Sequence, residues 1–271
     1  DVVIPLDRLA DYSRGIERIN IEQSIRNKDA VLAALLDYLN AEMPGSRLAG
    51  DDDGSDESAA ILAAKREAAR EAVSRARGRW QDILERLDQP AADHLDLLDG
   101  TARERMREGD TLIAMMLRRD LRQSMRAEVA ERLDEIFSGQ ELARVRERLR
   151  EIHRQICDSR LFVALHMHAG DGNVHTNIPV HSADYAMLHE ADRVVARIMA
   201  LATGLGGVIS GEHGIGITKL EFLTDAELAP FADYKQRVDP EGRFNKGKLL
   251  RNAEKDDVRM ADLSQAYTPS F

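Results

Sequence analysis

Cysteine and aromatic residues are scarce in this sequence. There is one cysteine, Cys157, in 271 residues. A disulfide within the chain and a metal site built from several cysteines are therefore excluded, and a reducing compartment fits. Aromatic residues make up 4% of the chain and charged residues 32%, a mixture typical of long, solvated helices rather than of a large aromatic core. The length allows one large domain or two small ones.

Positive charge and long apolar runs are also lacking. The formal net charge is -10, which argues against a broad nucleic-acid-binding surface but not against a small anionic substrate. The longest apolar run of the charged part, residues 112–117, is too short to cross a bilayer. No signal-peptide pattern opens the chain, so we expect a cytoplasmic protein. Because the chain begins with Asp1 inside an apolar run, we also expect it to be a piece of a longer protein.

The N-terminal part predicts a strand followed by a helix. Apolar, β-branched residues at 2–5 indicate a short strand that is closed by Pro5. The pattern at 6–43 is helical, with a break near 27–29. The acidic segment 50–58 is low in hydrophobicity, and we expect a flexible, solvated loop there.

Residues 59–160 predict a helical hairpin or small bundle. Pro90 breaks the helical pattern, and Ser138 with Gly139 separates the last two helices. The apolar residues of the first of these recur at spacings of seven and four, and those of the second at alternating three and four, which is typical of a packing seam. The two sets are Met106, Ile113, Leu117, Leu121, Met125, Val129 and Leu133, and then Leu142, Val145, Leu149, Ile152 and Ile156.

Methionines and arginines of this region allow two interpretations each. The methionines fit either an adaptable binding surface or core packing, and their helical spacing favours the core. The arginines could face an anion, but the acidic residues between them favour a solvated face. The residues concerned are Met106, Met115, Met116 and Met125, together with Arg118, Arg119, Arg122 and Arg126.

After the last of these helices the apolar period changes from helical to two. Residues 161–168 alternate between an aliphatic row and a row of polar groups, and the return run 174–180 does the same. The Gly-Asp-Gly-Asn turn between them favours a hairpin, because glycine and asparagine tolerate positive φ. With the polar rows aligned, His168, His175 and Asn177 converge.

The rest of the chain predicts further helices and a strand. A helix over 182–203, N-capped by Ser182, precedes a short strand at 208–210. The glycine-rich loop 211–216 follows, and its glycines allow close approach of a ligand or another segment. The remaining predicted elements are a helix over 225–237, a turn-rich segment 238–250 and an extended tail 251–271.

Histidines of the hairpin and a Glu-His pair in the loop offer the ligands of a catalytic metal site. Imidazole nitrogen and carboxylate oxygen suit Zn²⁺, Mn²⁺ or Fe²⁺, and three such ligands leave positions open for a substrate. His213 follows Glu212 and could act as a general base near neutral pH. Each histidine taken alone is more often incidental, and only the combination favours a site. His166 could support the ligands from the same strand face.

Three motifs follow one another in the second half of the chain. They read His-x-Gly-Asp-Gly-Asn-x-His at 168–175, Ser-Gly-Glu-His-Gly-x-Gly at 210–216 and Asp-Pro-x-x-x-x-Asn-x-Gly-Lys at 239–248. Together they resemble the C-terminal part of FAD-linked oxidases of the vanillyl-alcohol oxidase superfamily. The branch is the one of D-lactate dehydrogenases, the flavin subunit of glycolate oxidase and D-2-hydroxyglutarate dehydrogenase. Lys246 departs from the family pattern, which usually has proline there.

The resemblance implies a role for each motif. The divalent metal, Zn²⁺, Mn²⁺ or Fe²⁺, would be bound by His168, His175 and Glu212. His213 would be the catalytic base that takes the substrate hydroxyl proton while hydride passes to FAD. Asn177 would contact the substrate, and Asn245 would lie near the flavin ring. FAD would be bound mainly by a domain that precedes this part in the family and is absent from this chain.

The expected fold is α+β, with a small antiparallel sheet, ferredoxin-like or an incomplete form of it, covered by helices. The expected domains are a cap formed by 1–43 and 157–250, a helical insertion at 44–156, which is longer than the family's usual connection, and a tail at 251–271. The expected function is the substrate, or cap, domain of a flavin-dependent 2-hydroxy-acid dehydrogenase that is inactive without its flavin domain.

The resemblance also implies partners. They are a small 2-hydroxy acid, the upstream FAD-binding domain, an electron-acceptor protein or domain that could hold the enzyme at the inner membrane, and a second copy in a homodimer. Two other functions stay open at this point. The long helices could form a non-catalytic interaction module with a vestigial site, or the same ligands could serve a metal-dependent hydrolase. Metal content and flavin-free turnover distinguish these alternatives.

Overall fold

A computed structural model of the chain describes residues 1–41, 56–246 and 248. Helices and a small antiparallel sheet make this an α+β protein, which confirms the predicted fold class. The chain divides into two compact units, a sheet unit of Asp1–Ile16 and Val163–Phe271 and a helical unit of Glu17–Phe162. The predicted division into a cap domain and an inserted helical domain stays a prediction, because compactness does not distinguish an insertion from an original part of a fold.

The sheet has three strands, in the order β1-β3-β2. The strands are β1 at Val2–Val3, β2 at Ala164–His168 and β3 at Asn173–Asn177. Both pairings are antiparallel, and β2 and β3 form the predicted hairpin. The aliphatic row of β2 faces inwards as expected, because Leu165 and Met167 are half-buried whereas the residues between them are exposed.

The strand predicted at 208–210 is reduced to a single bridge. Val208 exchanges two backbone hydrogen bonds of 2.9 Å with Val3, and this is an isolated bridge rather than a ladder. The prediction of a regular strand at 208–210 is wrong, because β1 is only two residues long and the pairing does not extend beyond Val3 and Val208. The bridge nevertheless fixes the start of the glycine-rich loop beside β1.

After the hairpin the chain forms helix α7, at Tyr185–Gly204. Its N-cap is Asp184, whose carboxylate accepts a hydrogen bond of 3.0 Å from the backbone N–H of Met187, so the predicted cap at Ser182 is wrong. Ala186 and His189, near the start of this helix, are exposed. The buried residues of α7 are Met187, Ala191, Val194, Ile198, Met199 and Ala202.

Helix α8 spans Asp225–Val238, close to its predicted bounds. Thr224 and Glu227 form a capping box at its start, in which each side chain accepts a hydrogen bond from the backbone of the other residue. A short 3-10 helix at Leu220–Phe222 precedes it. The predicted turn-rich segment follows, and the Asp239 carboxylate holds it by accepting hydrogen bonds from two backbone N–H groups.

The helical unit is built on two long helices, α1 at Leu9–Asn40 and α2 at Asp56–Glu85. A 3-10 turn at Leu6–Arg8 precedes α1, which begins in the sheet unit. The break predicted near 27–29 is wrong, since α1 continues through it. The Asn27 side chain donates a hydrogen bond of 3.0 Å to a carbonyl oxygen of another segment and so does not compete for its own helix backbone.

The long helix predicted across 106–133 is broken into short elements. These are α3 at Gly100–Arg105, α4 at Leu112–Leu117, a π-helix at Met125–Ala130 and α5 at Glu131–Ile136. Gly109 and Arg119 have φ of 77° and 63°, values that a continuous right-handed helix does not contain. The prediction is wrong because inward positions in successive short helices reproduced the spacing of one long helix.

Helix α6, at Ala143–Asp158, confirms the second predicted seam, since Val145, Leu149 and Ile152 are buried on it. Gly139 has a φ of 103° and lies in the connection before α6, where the separation was predicted. In the core of this unit Trp80, Phe137 and Met115 are fully buried. The other three methionines singled out in the sequence pack against the same core, which confirms their packing role.

Parts of two predictions lie outside the described residues. These are the extended tail at 251–271 and residues 50–55 of the acidic loop. The end of that predicted loop is helical instead, because α2 begins at Asp56. Within the described ranges, every helix is too short or too polar to cross a membrane.

Candidate metal and acid-base site

The β2-β3 hairpin places three histidines on one face. His166 lies opposite His175, and His168 lies opposite Asn173. The rings of His166 and His175 stack with centroids 4.8 Å apart and planes 5° from parallel, whereas His168 meets His175 edge-on at 5.6 Å. His166 therefore supports the His175 ring, as the sequence suggested for it.

Only glycine fits the tip of this hairpin. Gly172 has a φ of 70°, and a Cβ atom there would lie 2.2 Å from the carbonyl oxygen of Ile4. The segment after β1 also bonds to this turn, because the backbone N–H of Ile4 donates a hydrogen bond of 2.8 Å to the carbonyl oxygen of Gly172. The turn is thus fixed both by its own conformation and by the segment that follows β1.

The glycine-rich loop is held by the Asp1 carboxylate. Asp1 Oδ2 accepts hydrogen bonds from three successive backbone N–H groups, those of Gly211 at 3.0 Å, Glu212 at 2.5 Å and His213 at 3.2 Å. The Asp1 side chain has no exposed surface. A buried carboxylate with several N–H donors makes strong, charge-assisted hydrogen bonds, so it fixes the backbone that carries Glu212 and His213.

Lys219 neutralises this buried carboxylate. Its Nζ lies 2.5 Å from Asp1 Oδ1 and donates a second hydrogen bond of 2.9 Å to the Asp1 carbonyl oxygen. Burial lowers the pKa of the Lys219 ammonium. Sequence reasoning missed both residues, although the signal was present: Asp1 directly precedes the β-branched pair of β1, and Lys219 follows closely on the loop glycines.

Close packing extends from Asp1 to the hairpin through Gly211. A Cβ atom at Gly211 would lie 2.5 Å from Asn173 Oδ1 and 3.1 Å from Asp1 Oδ2. The Asn173 side chain in turn lies with its Nδ2 3.5 Å from His175 Nε2. Gly211 is therefore the position that lets the loop approach the histidine face.

Three of the predicted side chains converge on one point. Glu212 Oε1 lies 3.9 Å from His168 Nε2, and Glu212 Oε2 lies 3.7 Å from His175 Nε2. One ligand atom from each residue falls within 4.8 Å of those of the other two. Metal bonds of about 2.0 to 2.2 Å would draw these atoms a little closer together, and the donor types are those of catalytic zinc and related metals. The residues present therefore fit a divalent metal.

Burial differs across the cluster and leaves one side open. The His175 side chain is 10% exposed, whereas those of His168 and Glu212 are 61% and 54% exposed. Burial lowers the pKa of His175, and the neighbouring His166 lowers it further. His175 is thus neutral at pH 7, which is the form that binds a metal ion.

His213 stands beside the cluster, as its position after Glu212 predicts. Its ring centroid lies 5.1 Å from that of His175, and the planes are tilted by 48°. The side chain is exposed on the open side. An imidazole in this place can take or give a proton next to a group that is bound by the three ligands.

The two predicted asparagines lie elsewhere on the sheet unit. Asn177 shares the strand face of His175, but its Nδ2 contacts His166 Nδ1 at 3.3 Å rather than the three-residue cluster. Asn245 has a φ of 46° and lines a cavity of about 540 Å³ together with Gly216 and aromatic residues that sequence reasoning did not single out. Those aromatic residues are Phe231, Tyr234 and Phe244. The substrate role of Asn177 and the flavin role of Asn245 stay predictions.

Comparison with known proteins gives several relatives. The chain is 31% identical over 163 residues to a D-lactate dehydrogenase of Archaeoglobus fulgidus, a match that covers 59% of this chain and 35% of that protein. It is 39% identical over 95 residues to the glycolate oxidase subunit GlcD of Escherichia coli, covering 33% of this chain and 19% of the relative. The chain thus spans about a third or less of the curated relatives that it matches. No solved structure matches it significantly.

The family described as FAD linked oxidases, C-terminal domain, matches residues 50–249. The match covers most of the chain, including the hairpin histidines, the Glu-His loop and the segment around Asn245. It agrees with the resemblance drawn from the three motifs. The chain belongs to the family of FAD-linked oxidase C-terminal domains.

Proposed function

We propose that this chain is the substrate domain of a flavin-dependent 2-hydroxy-acid dehydrogenase. The observation that carries the proposal is the convergence of His168, His175 and Glu212 with a further imidazole, His213, at their open side. Family membership supports a partnership with FAD, and two relatives are named for D-lactate and for glycolate. Both compounds are 2-hydroxy acids, which offer a hydroxyl and a carboxylate oxygen on adjacent carbons.

The three-residue cluster would hold a divalent metal, Zn²⁺, Mn²⁺ or Fe²⁺. When bound, such an ion supplies positive charge that attracts the hydroxyl and carboxylate oxygens of the substrate and lowers the pKa of the hydroxyl. His175 is buried and neutral, and its ring is held by the stack on His166. Glu212 is held through its backbone by Asp1. The ligands are thus oriented before a metal or substrate arrives.

His213 is the proposed catalytic base. Its backbone N–H is fixed by Asp1, and its ring lies beside His175 on the open side. It would accept the proton of the substrate hydroxyl while the hydrogen on the same carbon leaves as hydride to FAD. The product of this balanced two-electron oxidation is a 2-oxo acid. Asn177 would orient the substrate by hydrogen bonding, from the same strand face as His175.

The flavin would be bound mainly by an upstream domain of the full-length protein. Asn245, in the cavity of about 540 Å³, is the residue of this chain that we place near the flavin ring. Electrons would leave to a separate acceptor protein or domain, which could bring a cytoplasmic enzyme to the inner membrane. A homodimer is compatible with this arrangement, and this chain alone would not turn over.

A test of this function is flavin reduction in the full-length protein with His213→Ala. We expect the variant to keep its bound flavin but to reduce it about 10² to 10⁴ times more slowly with D-lactate or glycolate, because general-base catalysis contributes about that factor. Rapid-mixing absorbance spectroscopy of the flavin measures the rate. His189→Ala, which alters an exposed histidine of α7, is the matched control and should reduce flavin at the wild-type rate.

Two outcomes would contradict the proposal. If His213→Ala reduces flavin as fast as the wild type, His213 is not the base. If the wild-type protein with bound metal and flavin is reduced by neither these nor any other 2-hydroxy acid, the assigned reaction is wrong.

A further inference from the structure

We infer that the helical unit carries a second binding site, for a small oxyanion with more than one negative charge, at Arg119 and Arg122. Both arginines line a cavity of about 410 Å³ between α1 and the segment that joins α4 to the π-helix. Lys28 lines it too, and Glu17 is the one carboxylate among the lining residues. Cationic side chains therefore outnumber acidic ones in a chain whose net charge is -10.

A buried hydrogen-bond donor in this cavity lacks a partner. Gln123 is only 7% exposed and lines the cavity, and its side-chain Nε2 has no hydrogen bond. A buried donor without a partner has lost its hydrogen bonds to water, so such groups are normally satisfied. The Gln123 carbonyl oxygen is engaged by Lys28 Nζ at 2.9 Å, which fixes this residue in place. The Nε2 atom has no exposed surface, so a ligand in the cavity would reach it only after the side chain rotates, and the exposed guanidinium groups of Arg119 and Arg122 are the donors that such a ligand meets first.

The turn that ends α4 carries the two arginines. Arg119 has a φ of 63°, a left-handed conformation that is uncommon for residues other than glycine and asparagine. Arg122 Nε donates a hydrogen bond of 3.0 Å to the carbonyl oxygen of Arg119 and thereby stabilises this turn. Both side chains are exposed. This conformation ends α4, because the N–H groups of Arg119 and Asp120 donate hydrogen bonds of 2.9 and 2.8 Å to the carbonyl oxygens of Met116 and Met115, the usual pair at a helix C-terminus.

The neighbouring arginines of the same stretch are already paired with carboxylates. Arg118 forms hydrogen bonds of 2.7 and 2.5 Å with Asp110 and also reaches Asp120 at 3.0 Å. Arg126 lies 3.0 Å from Glu131 on the surface. Of the four arginines that the sequence singled out, the two that line the cavity are thus the ones whose guanidinium groups are placed to receive a ligand.

A second cavity, of about 630 Å³, shares Arg119 and Arg122 and adds Arg79 and Arg105. Its three acidic residues already have partners, two of them with arginines of the same cavity. Glu128 accepts hydrogen bonds from Arg79 and from the Trp80 indole, Asp120 pairs with Arg118 and lies 3.9 Å from Arg105, and Asp99 caps α3. The two cavities therefore flank one pair of arginines, and an oxyanion held between them would meet guanidinium groups from more than one side. Phosphate and dicarboxylates have the acceptor geometry that guanidinium groups match.

The test is titration of the full chain, labelled with ¹⁵N in its arginines, with inorganic phosphate and separately with succinate. We expect the Nε–H signals of Arg119 and Arg122 to shift along a saturating curve with at least one of these anions. The anion that saturates identifies the class, phosphate or dicarboxylate. Shifts that rise linearly and match those from sodium chloride at equal ionic strength would overturn the site, because they report general screening only.

Variants make the test specific. Arg119→Gly removes the guanidinium but keeps a residue that favours positive φ, and we expect about tenfold weaker binding because one charge-assisted hydrogen bond is lost. Arg122→Ala should weaken binding to a similar extent. Arg126→Ala, which alters an exposed arginine outside both cavities, is the matched control and should bind as the wild type does. Equal weakening in the Arg126 variant would overturn the inference in favour of diffuse attraction.

Discussion

The candidate site depends on one ion pair, between Asp1 and Lys219. The carboxylate is fully buried, and its partner Lys219 is 14% exposed. A buried ion pair loses much of its electrostatic gain to desolvation, but removing one partner leaves a charge in the interior without compensation. The pair is therefore better understood as a device that orients the loop than as a large source of stability.

Lys219→Met should destabilise the chain by about 3 to 5 kcal/mol, since the Asp1 carboxylate would stay buried without its counter-charge. The measurement is the free energy of unfolding in urea. Lys246→Met, at an exposed lysine, is the control and should stay within about 0.5 kcal/mol of the wild type. A loss that is equally small in both variants would show that the buried carboxylate does not need Lys219.

Part of the candidate site, the placement of its two strand histidines, could be predicted from the sequence pattern. The period of two along β2 and β3 put His168 and His175 on one face, and a short turn brought the strands together. The approach of Glu212 to this face followed from motif resemblance, not from any local pattern. It depends on the Asp1 carboxylate 210 positions away and on the missing side chain of Gly211, and neither is visible in the periodicity of the loop.

Single elements of the fold depend on their ends as much as on their apolar faces. The N-cap of α7 is Asp184 rather than Ser182, because the Asp184 carboxylate accepts a hydrogen bond from the backbone N–H of Met187 in the first turn. The apolar residues of region 106–133 predicted one helix, because the buried positions of several successive short helices have the same spacing as those of one long helix. Apolar spacing predicts which residues are inside, whereas a left-handed residue such as Arg119 decides where the chain turns.

The stability of the turn after α8 should depend on pH. The backbone N–H of Phe244 donates to the Asp239 carboxylate at 2.9 Å and lowers its pKa, and the N–H of Arg243 adds to the effect at 2.8 Å. A carboxylate whose pKa is lower in the folded than in the unfolded state contributes stability above its unfolded pKa, and this contribution is lost as the pH falls through the folded pKa. The turn that carries Asn245 is therefore stabilised most at neutral pH.

Asp239→Asn should lower the free energy of unfolding at pH 7, and the difference from the wild type should shrink as the pH falls below about 4, near the pKa of an unfolded aspartate. Unfolding curves of both proteins between pH 3 and 7 measure it. Asp233→Asn, at an exposed residue of α8, serves as the control and should show little effect at pH 7. A difference that is independent of pH would mean that the charge of Asp239 is not what holds the turn.

The whole molecule combines a small sheet unit, which carries the candidate metal ligands, with a larger set of helices. The α+β class was predictable because the apolar period changes from helical to two near residue 161. The boundaries of the two compact units were harder to predict, because α1 continues from one unit into the other without a break in its sequence pattern.

Metal binding should stabilise this chain as a whole. A ligand that binds only the folded state, present at a hundredfold excess over its dissociation constant, adds about 2.7 kcal/mol. We therefore expect Zn²⁺ or Mn²⁺ to raise the thermal unfolding midpoint and a chelator to reverse the effect. His175→Ala should abolish the shift, and His189→Ala should leave it intact. An unchanged midpoint in the wild type at pH 7 would favour a vestigial site and a non-catalytic role.

The hydrogen bonds between Asp1 and the loop have a consequence for how the protein is made. The carboxylate leaves the ribosome before its three N–H partners, which follow 210 to 212 positions later. Contacts so distant in sequence form late, because the chain between them must be synthesised and ordered before they meet. A nascent chain therefore exposes the hairpin histidines before Glu212 has a fixed position, and the cluster of His168, His175 and Glu212 can form only after most of this chain has been translated.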